Sequence, residues 1–337
     1  MAKNKAPLLP PQVAEQAREI AAAIRKHEVA PLVGSGLSYP RGIPKWTDLV
    51  DNLIRAWRKW DPSYSASELS ADEYVKLMRE VFRNSDLTVV SYLRSIIASR
   101  HDVSFGQLLF SALYSLPYEA EERFFEPEPS DIHRHLVTLF QEYPRRIWTT
   151  NYDDLLEEAA RSMGIAVTTL DPLQRRSNDD LLIAHLHGFL PPKRASRNYP
   201  DPSDARTILT LSDEDFHIIA SDTIGWINRQ FYQLFDEHRT LILGMSLDDP
   251  NVRRVLASNL RQGEVQGETQ GHTPKHYALM SALKLPTDLL SADDAMAQAA
   301  LSKDADEFRQ WHWKHYGVEV VTLPSHDLTL AFLMRLR

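Results

Sequence analysis

The chain has 337 residues, of which 43% are hydrophobic and 25% are charged, and its formal net charge is -8. This length and composition indicate a globular protein with an extensive core and exclude a fibrous or mainly disordered chain. The negative charge disfavours a general nucleic-acid-binding surface, which needs a basic face. The absence of cysteine excludes disulfides, thiolate zinc ligands and cysteine nucleophiles.

The N-terminal segment lacks the apolar region of a signal peptide. No apolar run reaches the ~20 residues that a membrane-spanning helix needs. We therefore expect a cytoplasmic protein that makes no membrane contact.

The first part of the chain predicts a helix, a strand, a glycine loop and a second helix. Apolar residues recur at helical spacing from Val13 to His27, which predicts an amphipathic helix. A short apolar strand at Val29–Val33 leads into the loop Gly34–Gly36, and a helix follows near Trp46–Trp60. Residues 64–129 show helical periodicity without a convincing strand, so we interpret them as a helical insert.

The rest of the chain alternates strands with helices. Repeated βα units imply a parallel sheet with helices on both faces, so the predicted fold class is α/β and Rossmann-like. We expect a single domain over residues 1–337, with the insert inside it. The predicted helices are Asp153–Met163, Asp213–His238, one opened by Asp249-Pro250, and a terminal helix. The predicted strands are Arg146–Thr150, Ala166–Leu170, Leu182–Leu186, Thr240–Leu243, His276–Met280 and Val318–Leu323.

Polar clusters follow several of these strands directly. In parallel α/β sheets, ligands bind where the carboxyl ends of the strands meet, so the clusters mark a candidate binding edge. The clusters are Gly34–Ser38, Thr150–Asp153, His187-Gly188, Gly244–Ser246 and Pro324–Asp327.

The glycine loop allows two interpretations. Gly34 and Gly36 permit positive φ and let backbone N–H groups approach a diphosphate. A tight strand-to-helix turn without a ligand uses the same glycines. Ser38 is compatible with a phosphate contact and with a turn cap.

Asn151, Asp153 and His187 each have a structural alternative as well. An Asx turn or a helix cap explains Asn151 alone, and Asp153 is well explained as an N-cap. Taken alone, His187 is better explained as a buried histidine bonded to the backbone than as a catalytic base. His185 and His187 share a face at strand spacing, but no recognised metal-ligand motif accompanies them. The basic segment Lys193–Arg197 is typical of a solvated loop.

Five blocks in this order resemble the sirtuin family and its prokaryotic sirtuin-like NADase relatives. The resemblance covers most of the chain from Val29 to Leu323 and leaves the helical insert and the region Ser291–Lys303 unexplained. The blocks are Gly34-Ser35-Gly36-Leu37-Ser38, Gly42-Ile43-Pro44-Lys45-Trp46, Thr149-Thr150-Asn151-Tyr152-Asp153, Leu186-His187-Gly188 and Leu243-Gly244-Met245-Ser246.

The chain also departs from the sirtuin deacylases. Their four-cysteine zinc module follows the His-Gly block, where this chain has only the loop Pro191–Asp204, so we expect no zinc and no acyl-lysine groove. Their Phe-Gly-Glu segment is replaced by Thr210-Leu211-Ser212, and Lys45-Trp46-Thr47 follows Gly-Ile-Pro in place of their usual residues. The resemblance therefore favours the NADases of bacterial anti-phage systems, which retain the asparagine and the histidine.

This resemblance implies a role for each candidate residue. NAD is the expected substrate, and the expected reaction releases nicotinamide and ADP-ribose. Asn151 would position the attacking water or a ribose hydroxyl, and His187 would act as general base. The remaining expected NAD contacts are Gly34, Ser35, Gly36 and Ser38 at the diphosphate, Trp46, Thr150 and Asp153 in support, and Gly244, Ser246 and Asp327 at the ribose and adenine.

Two other classes of function remain open. A protein deacylase or ADP-ribosyltransferase would require an acceptor, and a non-catalytic NAD or ADP-ribose sensor would bind without turnover. For the NADase, the resemblance implies a homo-oligomer, triggered NAD depletion in anti-phage defence, and a separately encoded partner, either a HerA-type ATPase or a short Argonaute. We expect no direct contact with nucleic acid.

Overall fold

The computed structural model describes residues 8–60, 69–99, 104–115, 124–171, 180–194, 209–265, 276–283 and 295–337. None of the helices in these ranges is long and apolar enough to cross a membrane. The strands are β1 (Val29–Val33), β2 (Arg146–Thr149), β3 (Val167–Leu170), β4 (Leu181–His185), β5 (Arg239–Leu243), β6 (His276–Ser281) and β7 (Val318–Leu323). The helices are α1 (Pro11–Arg25), α2 (Trp46–Trp60), α3 (Ala71–Val81), α4 (Asp86–Ala98), α5 (Phe105–Tyr114), α6 (Asp131–Phe140), α7 (Leu155–Ser162), α8 (Asp213–Ser221), α9 (Trp226–Glu237), α10 (Pro250–Val265), α11 (Ala295–His315) and α12 (Thr329–Met334).

The strands form one seven-stranded sheet in the order β3-β4-β2-β1-β5-β6-β7. Parallel pairing joins β1 to β5, β5 to β6, β6 to β7, and β3 to β4. All five residues of β1 and all five of β4 are buried, which is the pattern of parallel strands covered on both faces. The predicted α/β, Rossmann-like fold class is therefore confirmed.

The chain divides into two compact units. Unit 1 comprises Met1–Val33, Asp131–Ile147 and Gln230–Arg337, and unit 2 comprises Gly34–Ser130 and Trp148–Arg229. The interpretation of residues 1–337 as a single domain, with 64–129 as an insert, stays a prediction.

In unit 1, α1 has the amphipathic character that the sequence predicts. Its buried face includes Val13, Ala17 and Ile20, and its polar face is tied to β7 because Gln16 Nε2 donates to Glu319 Oε1 at 2.7 Å. The last helix of the unit, α12, confirms the predicted terminal helix.

In unit 2, α2 to α5 surround an apolar core in which Trp57 is among the largest fully buried side chains. Capping boxes at Ser70 and Ser104 begin α3 and α5. Tyr152 and Leu190, which lie beside the candidate functional residues, belong to the same apolar core. The helices between residues 64 and 129 are thus packed against the segments that carry the candidate site.

The predicted helix Asp213–His238 is wrong, since the structure has two helices there, α8 and α9. A Cβ at Gly225 would lie 2.3 Å from Asp222 Oδ2, so a larger residue between the two helices would displace the Asp222 carboxylate. The side-chain amide of Asn228 donates to the carbonyls of Ile219 and Asp222 and thereby stabilises the break. Local hydrogen bonding has overridden the continuous helical pattern.

Candidate functional site

The glycine loop after β1 forms a tight 3-10 turn at Ser35–Leu37. Gly34 is extended with φ -117°, and Gly36 does not adopt positive φ either. The positive φ that these glycines permit is therefore not used, because a 3-10 turn has right-handed dihedrals. The next α-helix begins only at Trp46, so the loop does not lead directly into a long helix. Ser38 ends the turn fully buried.

Asn151 lies two residues beyond the end of β2 and is 6% exposed. Its Nδ2 donates to Ser38 Oγ at 3.0 Å, and its backbone N–H donates to Thr149 Oγ1 at 3.0 Å. The side chain therefore forms neither the Asx turn nor the helix cap that we considered. Asn151 Oδ1 is buried and accepts no hydrogen bond from any described residue. The amide is held from one side and offers an acceptor on the other.

The segments that carry Asn151 and His187 are joined by hydrogen bonds. This network brings the ends of β2 and β4 together with the chain that precedes α8. The four bonds are Leu186 N to Thr149 O at 2.8 Å, Leu190 N to Tyr152 O at 2.9 Å, Thr210 N to His187 O at 2.8 Å, and Tyr152 Oη to Thr210 O at 2.7 Å.

His187 occupies a turn, because β4 ends at His185. Gly188 completes the turn with φ 102°, a left-handed conformation that favours glycine. The His187 ring is 8% exposed and packs edge-on against Phe216 of α8, with ring centroids 5.7 Å apart. The expectation that His185 and His187 share a strand face is wrong, since strand alternation stops before His187.

Helix α8, which supports the His187 ring, is fixed to α4. Arg94 of α4 pairs with Asp215, and Ser91 donates its hydroxyl hydrogen to Glu214 at 2.7 Å. The same Ser91 oxygen accepts the N–H of Asp213 at the start of α8. Residues between 64 and 129 thus help to place the imidazole.

His185 and Glu157 form a buried pair that contacts the backbone carbonyl of Asn151. His185 Nδ1 is 2.7 Å from the carbonyl oxygen of Asn151, and its Nε2 is 2.8 Å from Glu157 Oε1. Burial lowers the pKa of His185, but the Glu157 carboxylate, the Asn151 carbonyl and Asp153 together outweigh this effect, so the pKa is raised above its usual value. Within the described residues, no group of three or more histidine, aspartate or glutamate side chains could hold a metal ion.

Asp153 is 4% exposed, and its Oδ1 accepts the N–H of Leu155 at 3.1 Å. The prediction that Asp153 is the N-cap is therefore wrong, because α7 has Asp154 at its N-cap position and Asp153 lies one residue earlier in the chain. Burial raises the pKa of Asp153 to about 6. The nearby Ser38 hydroxyl opposes this rise, but its geometry falls short of a hydrogen bond, and Asp153 Oδ2 has no partner among the described residues.

Arg194 and Asp154 form a second buried pair in this unit. Arg194 Nε is 2.6 Å from Asp154 Oδ2, and its Nη2 donates to Asp154 Oδ1 at 2.8 Å and to the Pro127 carbonyl at 2.7 Å. Arg194 is 8% exposed, so the interpretation of Lys193–Arg197 as a solvated loop is wrong for this residue. The part of the predicted loop from 195 to 204 lies outside the described residues.

The other predicted NAD contacts are placed as follows. In unit 2, Trp46 is partly buried against the apolar core, and Thr150 is half-buried beside Asn151. In unit 1, Gly244 follows β5 with φ 66°, Ser246 is exposed, and Asp327 is exposed in a 3-10 turn. For these residues the contact with NAD stays a prediction.

Sequence reasoning missed Glu157, although a signal was present. The buried face of α7 is apolar at Leu155, Leu156, Ala159 and Ala160, and Glu157 is buried among these positions. A carboxylate on a buried helix face requires a partner. The pairing with His185 lies 28 residues further along the chain, so the pattern alone did not identify that partner.

Comparison with known proteins identifies one family. The family model for the SIR2-like domain matches residues 145–321, slightly more than half of the chain. A solved structure described as "The Structural basis for Sirtuin Substrate affinity" is 13% identical, with a TM-score of 0.34, and covers 86% of this chain and 98% of its own. That likeness is too distant to support an argument. No curated protein matches the chain.

Proposed function

The chain belongs to the SIR2-like domain family, and on this premise we propose that it hydrolyses NAD at the bond between nicotinamide and ribose. SIR2-like domains use NAD, so an NAD-related function follows from the family. In the proposed reaction, NAD and water give nicotinamide, ADP-ribose and one proton. Asn151 and His187 are the proposed catalytic residues.

The unfilled acceptor on Asn151 is the observation that supports this function best. Leaving a buried acceptor without a partner costs about 1–3 kcal/mol, so a ligand that fills it recovers that free energy. Oδ1 is suited to accept a hydrogen bond from a ribose hydroxyl or from the attacking water, and the bond from Nδ2 to Ser38 holds the amide for this contact. The role is one of orientation.

The position of His187 suits a general base. Its backbone is anchored at Thr210 and its ring is supported by Phe216, so the imidazole has a defined orientation. An imidazole can take the proton released by the attacking water near neutral pH. Breaking the nicotinamide bond builds positive charge on the ribose, and the buried carboxyl of Asp153 would favour that charge when it is ionised.

The finer biological role rests on the resemblance of the motifs to sirtuin-like NADases. We propose a triggered, NAD-depleting effector in anti-phage defence, which acts as a homo-oligomer with a HerA-type ATPase or a short Argonaute as partner. The proposed cell compartment is the cytoplasm.

The test compares wild type, Asn151→Ala and His187→Ala, each as the isolated chain and in its purified assembly. NAD, nicotinamide and ADP-ribose are quantified by chromatography, with and without an acylated peptide. We expect both variants to lose about 10²–10⁴-fold in rate. His217→Ala, which removes an exposed histidine next to Phe216, should keep the wild-type rate. Full turnover by both site variants would refute the assignment, and turnover only with an acylated peptide would favour a deacylase.

A further inference from the structure

His185 and Glu157 form a buried ionic contact that the proposed reaction does not use. Both residues are fully buried, and their side chains are 2.8 Å apart. Desolvation makes such pairs weak evidence for stability, because well-packed apolar residues often stabilise a protein as well or better. Their position against Asn151 points to a specific role.

The geometry constrains where the protons of His185 lie. A carbonyl oxygen can only accept, so the 2.7 Å contact with Asn151 requires a hydrogen on His185 Nδ1. An ionised Glu157 also only accepts, so the 2.8 Å contact requires a hydrogen on Nε2. Thr169 Oγ1 donates to the same carboxylate oxygen at 3.0 Å and holds it in place from β3. With Glu157 ionised, the ring is an imidazolium held between a carboxylate and a peptide carbonyl, and the raised pKa of His185 agrees with this state.

We propose that His185 and Glu157 are positioning residues that hold the peptide of Asn151, and with it the side-chain amide that orients the substrate. The N–H of Asn151 is fixed by Thr149, its carbonyl by His185, and its Nδ2 by Ser38. These three contacts restrain the backbone and side-chain dihedrals, so they determine where Oδ1 points. The predicted effect on catalysis rests on the proposed function.

The proposal also predicts a pH dependence. The titratable groups that face His185 among the described residues are Glu157 of α7 and Asp153 of the loop before it, and the Phe189 ring packs at 4.6 Å. A neutral imidazole has one N–H, so losing the proton breaks either the contact with Asn151 or the contact with Glu157. Turnover should therefore fall as pH rises through the raised pKa of His185.

Two substitutions at His185 separate positioning from packing. His185→Phe fills the space without a donor, whereas His185→Asn retains an amide donor near the position of Nδ1. A 1 Å misplacement can cost on the order of 10²-fold, so we expect His185→Phe to lower kcat by about that factor with KM changed less than about threefold. His185→Asn should recover most of this loss. Thr168→Val, which removes a hydroxyl of the same strand that contacts Asp180 and not Glu157, is the matched control and should keep the wild-type kcat.

The proposal would be overturned if His185→Phe and His185→Asn both fold and have the same kcat as the wild type, even if their thermal unfolding temperatures differ. If His185→Phe does not fold, Glu157→Gln tests the same idea, because an amide can hydrogen-bond to a neutral imidazole. This variant should keep kcat near neutral pH within about threefold and lose the high-pH decline, since Nδ1 then keeps its hydrogen at all pH values. An unchanged pH profile would contradict the proposal.

A crystallographic readout separates this inference from the proposed function. Crystal structures of the wild type and the His185→Phe variant show whether the hydrogen bond from Asn151 Nδ2 to Ser38 Oγ persists. If the wild type does not cleave NAD, the proposed function fails, while loss of that hydrogen bond in the variant still supports the positioning role. If the Asn151 side chain keeps its position in the His185→Phe variant, the positioning role is overturned, whatever the activity of the wild type.

Discussion

Replacing Asp153 by asparagine should stabilise the protein at neutral pH. The carboxyl is 4% exposed, and burial raises its pKa from the usual 3.8 to about 6. An asparagine keeps an oxygen that can accept the N–H of Leu155, and it carries no charge. The variant therefore removes the cost of burying an ionised group while it preserves the contact at the start of α7.

The expected stability difference follows from the pKa of Asp153, which is roughly 2 higher in the folded than in the unfolded state. At about 1.4 kcal/mol for each pKa unit, this corresponds to about 3 kcal/mol. The folded-state pKa of this acid is raised, so its stabilising contribution is complete below the unfolded pKa. The contribution is lost as pH rises through about 6. Relative to Asp153→Asn, the wild type should therefore lose about 3 kcal/mol of unfolding free energy between about pH 4 and pH 7.5.

Urea unfolding of both proteins across this pH range measures the difference. Asp154→Asn is the matched control, because Asp154 is equally buried but paired with Arg194. Breaking that pair leaves a buried cation and should destabilise the protein by about 3–5 kcal/mol at neutral pH. A difference between wild type and Asp153→Asn that stays constant with pH would refute the reasoning.

Three further substitutions, one of them with a matched control, test other contacts. Gly188→Ala places a side chain at φ 102°, so it should lower the free energy of unfolding, measured in urea, by about 1–2 kcal/mol and should also reduce NAD turnover. Its matched control is Gly164→Ala, which has φ 72° and no neighbouring atoms at the added Cβ. This control should lower the free energy of unfolding without reducing turnover. Tyr114→Phe removes the 2.8 Å hydrogen bond to the carbonyl of Leu190 and should lower the unfolding free energy by about 1–3 kcal/mol; an unchanged midpoint and slope would contradict this. Ser38→Ala removes the acceptor of the buried amide and should slow nicotinamide release about tenfold, corresponding to about 1.4 kcal/mol; an unchanged rate would exclude this role.

Much of the sheet was predictable because strands such as β1 and β4 are mainly apolar and fully buried. The predicted bounds of β7, Val318–Leu323, agree with the structure, and those of β2 differ by one residue. Such buried parallel strands carry a strong local signal. Helix α6 was not predicted, although its buried residues recur at helical spacing, and the break between α8 and α9 depends on contacts that hydrophobic periodicity does not express.

The candidate site was predictable only in part. Asn151 and His187 were identified because each follows a strand, and the structure joins their segments by hydrogen bonds. The partners behind them were missed because the contact of His185 with Glu157 and that of Arg194 with Asp154 link residues 28 and 40 positions apart. Whether these charged side chains are buried depends on the tertiary structure. The sequence alone shows only which residues they are and how far apart they lie along the chain.

The central claim is that this chain cleaves the nicotinamide-ribose bond with the help of Asn151. The most direct measurement is the ratio of nicotinamide formed to NAD lost, followed in time for wild type and Asn151→Ala in the same assembly. The proposed mechanism predicts one nicotinamide per NAD lost in the wild type and a rate about 10² times lower in the variant. Loss of NAD without nicotinamide, or equal rates in the two proteins, would contradict it.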